Sequence, residues 1–191
     1  MTIAVRSLPT KLLHAALALA VLWQLGASGF VERPRAAKPG NVFYEIHEVV
    51  GLTTLAVVML FWLWSLVRRR ETAFAALLPW FSAPRLKALA ADLRVHGAHL
   101  RRLRLPPSDT ETPLASAVHG LGLLTALAMA ASGALLYPQA VPGGAVLAVH
   151  KAVSNLMWAN LIGHAALALL HQLTGHRALQ RMFGRGAGRD A

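Results

Sequence analysis

Four histidines stand out because they lie inside long apolar runs or at their ends. They are His14, His47, His150 and His164. A neutral imidazole is a good metal ligand, and an ionisable side chain inside a membrane indicates a functional site by default. His150 and His164 bracket the stretch HKAVSNLMWANLIGH and stand fourteen positions apart. On a helix this spacing is a rise of ~21 Å, and it returns both side chains to within ~40° of one face.

Four apolar runs are long enough to carry these histidines through a membrane. The predicted spans are roughly residues 11–30, 43–67, 114–137 and 145–173. Each holds about 20 residues or more, the number needed to cross about 30 Å of hydrocarbon. The first run follows Arg6 and Lys11, but it is longer than the apolar part of a signal peptide, so we interpret it as a retained helix. We predict that residues 1–191 form a single membrane domain.

The basic residues flank the apolar runs and form no evident soluble basic face. The chain has 191 residues, of which 55% are apolar, and a net charge of +11. Fifteen of its 19 Lys and Arg residues lie before or at the start of the first run, between the second and third runs, or after the fourth. The positive-inside rule therefore places both termini and the long second loop in the cytoplasm. We attribute the charge to topology, predict no nucleic-acid partner, and expect an all-α, up-down bundle of four transmembrane helices.

The long second loop, roughly residues 68–113, contains an amphipathic pattern. Its apolar positions recur every three or four residues, at Leu86, Leu89, Leu93, His96, Leu100 and Leu103. Basic residues mostly fill the positions between them, at Arg85, Lys87, Arg94, Arg101, Arg102 and Arg104. This pattern predicts an interfacial amphipathic helix on the anionic inner leaflet, with Trp80 and Phe81 as anchors at headgroup depth. A docking surface for a soluble partner is the alternative interpretation.

Placing the histidines by depth gives two facing pairs. His47 and His150 lie near the outer ends of their spans, whereas His14 and His164 lie toward the inner side. Two imidazoles from opposing helices suit bis-histidine ligation of a b-type haem, which needs no covalent link, and the chain has no cysteine. Small residues near these positions would either leave room for a flat macrocycle or simply let helices pack closely. They are Gly26, Gly29, Gly51 and Gly163.

The remaining histidines leave part of this assignment open. His119 lies near the inner start of the third span and competes with His14 as the partner of His164. It would otherwise contact a haem propionate or a quinone headgroup. His171 lies on the same helix face as His164 but nearer the inner surface. Solvated or lipid-headgroup roles are the default for the histidines outside the spans, which are His96, His99 and His176.

The sequence resembles the bacterial cytochrome b561 family, which includes the b-type cytochrome subunits of nickel–iron hydrogenases. The resemblance is strongest in HKAVSNLMWANLIGHAALALLHQLTGHRALQRM and continues in LLHAALALAVLWQLGASG, IHEVVG and VHGLGLLTALAMAASG. It implies two haems b in a bacterial inner-membrane protein. By position, His14 and His164 would hold the inner haem, and His47 and His150 the outer haem. Family members move electrons between a membrane quinone and a redox partner at the membrane surface.

The leading interpretation is therefore a dihaem electron carrier of a respiratory chain. Its expected partners are membrane lipid, quinone and a periplasmic or membrane redox protein. The alternative is an enzyme, a superoxide oxidase that reduces ubiquinone, because a basic outer entrance would attract the anion. The candidate cations for that entrance are Arg33, Arg35, Lys38 and Lys151. A zinc or copper transporter is a third class, disfavoured because the spans hold no cysteine and no deep carboxylate.

Overall fold

A computed structural model describes residues 6–69, 71–102, 112–139, 142–173 and 182. Its helices are α1 (Leu8–Ala27), α2 (Val42–Val67), α3 (Phe74–Leu77), α4 (Ala83–Arg101), α5 (Pro113–Leu136) and α6 (Gly144–Leu173), and no strand occurs among the described residues. Four of these helices, α1, α2, α5 and α6, are long and apolar enough to cross a membrane. The prediction of an all-α bundle with four spans is therefore confirmed.

The ends of the four long helices lie within three residues of the predicted boundaries. Helix α1 starts earlier than predicted because Pro9 occupies its first turn, where a missing N–H costs nothing. Polar caps start two others: Asn41 accepts a hydrogen bond from the Tyr44 amide at 3.0 Å, and Thr112 accepts one from the Ala115 amide at 3.1 Å. These local signals fix where each span begins.

The bundle is built from three close helix contacts, α1 with α2, α2 with α5, and α5 with α6. Its core is apolar and lies mainly between α1, α2 and α5. Helix α6 contributes a single buried residue, Met157. Following the predicted topology, we call the end that carries residues 6–11, 68–69, 71–102 and 112 the inner end. The opposite end, with residues 28–41, 137–139 and 142–143, is the outer end.

A short segment of the second loop folds back against the inner end of the bundle. Helix α3 packs on α5, and Leu77 is buried with 2% of its surface exposed. The Phe74 ring meets Trp62 of α2 edge-on, with ring centres 5.7 Å apart. Gly120 of α5 permits this docking, because a Cβ at that position would stand 1.8 Å from the Leu77 carbonyl oxygen. The sequence analysis did not predict this segment.

The predicted amphipathic helix exists as α4, and it is attached to α5 through a carboxylate. Asp92 accepts a hydrogen bond from the Leu114 amide at 2.9 Å, which satisfies one of the unpaired amides at the start of α5. Leu86 and Leu93 are exposed, as is Phe81. These exposed apolar side chains suit contact with lipid, and the position of α4 on the inner leaflet stays a prediction. Leu103 and Arg104 of the predicted stripe lie outside the described residues.

A buried carboxylate joins the start of the chain to the second loop. Glu71 accepts a hydrogen bond from the Ser7 amide at 2.9 Å, and its other oxygen lies 3.9 Å from both Arg6 and Arg68. Burial alone would raise the pKa of this carboxyl group. The hydrogen bonds from Ser7 and Thr10 and the Arg6 charge together outweigh burial and lower the pKa below its usual value.

Replacing Glu71 by glutamine should reduce the stability of the protein at neutral pH by on the order of 1 kcal/mol, because charged hydrogen bonds are lost. Because the pKa of Glu71 is lower in the folded protein, the ionised carboxylate stabilises the fold when the pH is above the usual pKa of a glutamate. This stabilisation disappears as the pH falls through the pKa of the folded state. Wild type should thus lose more stability than Glu71→Gln on acidification. Thermal unfolding in detergent between neutral and acidic pH measures both effects.

Glu32→Gln is the matched control for this prediction. Glu32 pairs with Lys38 at 2.9 Å, but both side chains are more than half exposed. Exposed pairs contribute little to stability, so this variant should behave like wild type at neutral pH. Parallel acid profiles for wild type and Glu71→Gln would contradict the role assigned to Glu71.

Candidate functional site

Two pairs of histidine rings face each other, one near each end of α6. The rings of His14 (α1) and His164 (α6) have centres 6.2 Å apart and are tilted by 47°. The rings of His47 (α2) and His150 (α6) have centres 6.2 Å apart and are nearly perpendicular, at 84°. The structure thus brings together the two pairs expected from depth, and their role as ligands stays a prediction.

The separation of the two rings in each pair suits two imidazoles on opposite sides of one iron atom. A metal–imidazole bond of about 2.0 Å, with about 1.1 Å from the ring nitrogen to the ring centre, sets two such rings about 6 Å apart. His119 also approaches His164, but the centres of these two rings are only 5.4 Å apart. The distance therefore favours His14 over His119 as the ligand opposite His164.

Each pair offers only two side chains to an iron atom. Among the described residues, no group of three or more His, Asp or Glu side chains is arranged to hold a metal ion. A metal ion bound by protein alone usually has three or four protein ligands. Two histidines suffice when a macrocycle supplies the other nitrogens, as haem does. The donor set therefore fits haem better than a bare zinc or copper ion, which also disfavours the transporter interpretation.

The packing of α6 would leave room for such a flat group on one side. Across the described residues this helix packs closely on α5 but not on α1 or α2, although its histidines face those two helices. A Cβ added at Gly26, Gly29 or Gly163 would meet no atom within 4 Å. Gly51 differs, because its Cβ would stand 3.0 Å from the side-chain nitrogen of Gln24. Three of the four glycines thus border open space, and Gly51 instead serves the contact between α1 and α2.

Polar residues surround the outer histidine pair, His47 and His150, and they were not predicted from the sequence. Gln24, with 5% of its surface exposed, donates a hydrogen bond to the His47 carbonyl at 2.8 Å and so joins α1 to α2 beside that histidine. Ser132 and the Met129 carbonyl of α5 lie 3.0 and 3.1 Å from Nδ1 of His150. A glutamine inside an apolar span was the available signal for Gln24. No comparable signal marked Ser132, because it lies in a helix rich in small residues.

The outer cations are partly engaged by the chain itself. Lys38 pairs with Glu32 at 2.9 Å, and Arg33 donates a hydrogen bond to the Pro142 carbonyl at 3.1 Å. Arg35 and Lys38 form an isolated backbone bridge within the same loop. Among the described residues, the charge of Lys38 is thus paired with a carboxylate, whereas a hydrogen bond to a carbonyl leaves the positive charge of Arg33 in place to attract an anion.

Comparison with known proteins places this geometry in a family. Residues 5–185 match the family model described as prokaryotic cytochrome b561. No curated protein and no solved structure matches the chain. The match covers nearly the whole chain, including all four long helices and both histidine pairs. The chain therefore belongs to the prokaryotic cytochrome b561 family and is a membrane electron-transfer protein of the b-type haem class.

Proposed function

We propose that the chain is a dihaem cytochrome of the bacterial inner membrane that transfers electrons between the quinone pool and a redox partner in a respiratory chain. His14 and His164 would hold the inner haem, and His47 and His150 the outer haem. The observation that carries this proposal is the pair of ring separations, both 6.2 Å, with one histidine pair toward each end of α6.

Haem b, when bound, supplies a one-electron couple whose potential depends on its ligands and surroundings. The contribution of the chain is to place the ligands, exclude water and separate the two sites. His150 and His164 stand ~21 Å apart along α6, so one site lies near each face of the membrane. This arrangement suits exchange of electrons with a different partner at each side.

The surroundings of the inner pair support a partner from the lipid phase. The docked segment with Leu77, and Arg68 with its side chain 6% exposed, cover the inner end of the bundle. Helix α6 is little buried by protein, so the sides of this helix that haem would not cover would face the lipid. A quinone moves within that lipid phase and can approach from the side, whereas a soluble cytoplasmic protein meets the covered end.

The test is haem quantification on purified protein, followed by anaerobic addition of a ubiquinol analogue. We expect two haems per chain in wild type and about one each in His150→Ala and His164→Ala, because a site with a single axial ligand binds haem weakly. We expect the quinol to reduce wild-type haem, visible as growth of the reduced absorption bands.

Two different results would contradict this proposal. A folded wild-type protein that purifies without haem would overturn the dihaem assignment. If the protein binds two haems but quinol does not reduce them and quinone does not reoxidise them, the dihaem assignment would stand and the assignment of quinone as partner would be wrong. Stopped-flow reduction of the haem by superoxide in the same preparation tests the enzyme alternative.

A further inference from the structure

One face of α5 holds the ring of His150 by two polar contacts. Nδ1 of His150 lies 3.0 Å from the Ser132 hydroxyl and 3.1 Å from the Met129 carbonyl oxygen. The Ser132 hydroxyl donates to the same carbonyl at 2.9 Å. Gly133 lets the ring approach α5 closely, because a Cβ there would stand only 3.3 Å from Cε1 of His150.

These contacts fix which ring nitrogen of His150 carries the proton. The Met129 carbonyl can only accept a hydrogen bond, and the Ser132 hydroxyl has already given its proton to that carbonyl. Both groups therefore accept from Nδ1, which must be protonated. Nε2 then holds the lone pair and is the ring nitrogen that can coordinate a metal.

The histidines that face α6 from α1 and α2 differ from His150. Nδ1 of His14 and Nδ1 of His47 have no hydrogen-bond partner among the described residues. Ser132 is itself buried, with 6% of its surface exposed, so water competes little for its hydroxyl. Within the outer pair, the structure thus pre-orients His150 and not the ring that faces it.

We infer that Ser132 is a positioning residue that, together with the Met129 carbonyl, holds the tautomer and plane of His150, and that it lowers the reduction potential of the outer site. The inference rests on the proposed function. A hydrogen bond from Nδ1–H increases the basicity of a coordinating imidazole, and a more basic ligand favours the oxidised metal. Without the Ser132 oxygen, the Met129 carbonyl remains as the acceptor, so the effect is a shift and not a loss.

The experiment is an optical redox titration of wild type and Ser132→Ala, with electron paramagnetic resonance of the oxidised protein. We expect two haems in both proteins. The outer haem is identified as the one that His150→Ala lacks. In Ser132→Ala this haem should become easier to reduce, with an equilibrium constant for reduction about tenfold higher, which is a rise in potential of about 59 mV for one electron. The g-values of that haem should change as well, because the plane of the His150 ring is then held by one contact instead of two. The other haem should keep its potential.

Ser65→Ala is the matched control, since Ser65 is equally buried and donates to the Phe61 carbonyl at 2.8 Å without touching a histidine. Ser132→Thr keeps the hydroxyl and should restore the wild-type potential. Ser132→Cys places a side chain of similar size but a weaker hydrogen-bond acceptor beside His150. Its outer haem potential should shift in the same direction as in Ser132→Ala but by less. This variant supplies the test if Ser132→Ala does not fold.

Separate readings distinguish failure of this inference from failure of the proposed function. Two haems whose potentials match wild type in Ser132→Ala and Ser132→Cys would overturn the role of Ser132 alone. Equal shifts of both haems, or the same shift in Ser65→Ala, would also overturn it. A wild-type protein without haem would overturn the proposed function and this inference together.

Discussion

Replacing His14 by alanine should remove one of two haems from the purified protein, whereas His119→Ala should leave both. Both rings lie beside His164, but only the His14 ring stands at 6.2 Å, the separation that two imidazoles on one iron require; the His119 ring stands at 5.4 Å. Loss of a ligand to the iron should weaken haem binding, and the shorter distance between the His119 and His164 rings would not suit a replacement for His14. Pyridine haemochrome quantification per chain measures the difference directly.

His99→Ala serves as the control, because it removes a histidine from α4, outside the four long helices. It should retain both haems. One haem in His119→Ala, with two in His14→Ala, would reverse the assignment and make His119 the ligand opposite His164. Loss of one haem in each of the two variants would show that His119 is needed to support the inner site.

The helices and the facing histidines were predictable because they depend on local and periodic properties. The length of an apolar run predicts a span, and the depth of His47 and His150 within their spans predicts that they meet. Depth alone did not separate His14 from His119, since both lie at the same level. That choice depends on how α1 and α5 are rotated toward α6, and rotation is set by side-chain packing across the whole bundle.

The docked segment of the second loop was not predictable in the same way. Residues 71–82 contain one apolar stretch, AFAALLPWF, which is too short to predict a span and is interrupted by Pro79, and the residues that this segment contacts are distant in sequence. Glu71 meets Ser7, and Leu77 meets Gly120. Asp92 looked like one more charge in an amphipathic helix, yet it accepts a hydrogen bond from the first turn of α5. Each of these contacts is visible only when two remote segments are placed side by side.

The hydroxyl of Ser132 illustrates the same limit at the site itself. A serine in a transmembrane helix usually bonds to a carbonyl of its own helix, and Ser132 does so with Met129. Its second contact, to His150, depends on the close approach of α6 at Gly133. The composition of α5, with many small residues, indicates close helix packing but not which polar atom that packing brings to a histidine.

Gly120→Ala should displace α3 from α5 and destabilise the protein by about 1–3 kcal/mol, the usual cost of overpacking. The added Cβ would stand 1.8 Å from the Leu77 carbonyl oxygen, and the obstruction is backbone, so no rotation of a side chain can relieve it. Gly97→Ala in α4 is the matched control, because its Cβ would meet nothing within 4 Å and alanine favours a helix by about 1 kcal/mol over glycine.

The absence of cysteine from the chain allows a direct measurement of this displacement. A cysteine placed at Leu77, a position 2% exposed, should react slowly with a water-soluble maleimide in the Gly97→Ala background. In the Gly120→Ala background the same thiol should react at least about tenfold faster, because a docking contact that loses 1.4 kcal/mol opens ten times more often. Equal rates in the two backgrounds would mean that α5 shifts and α3 stays, and that the inner end remains covered by other contacts.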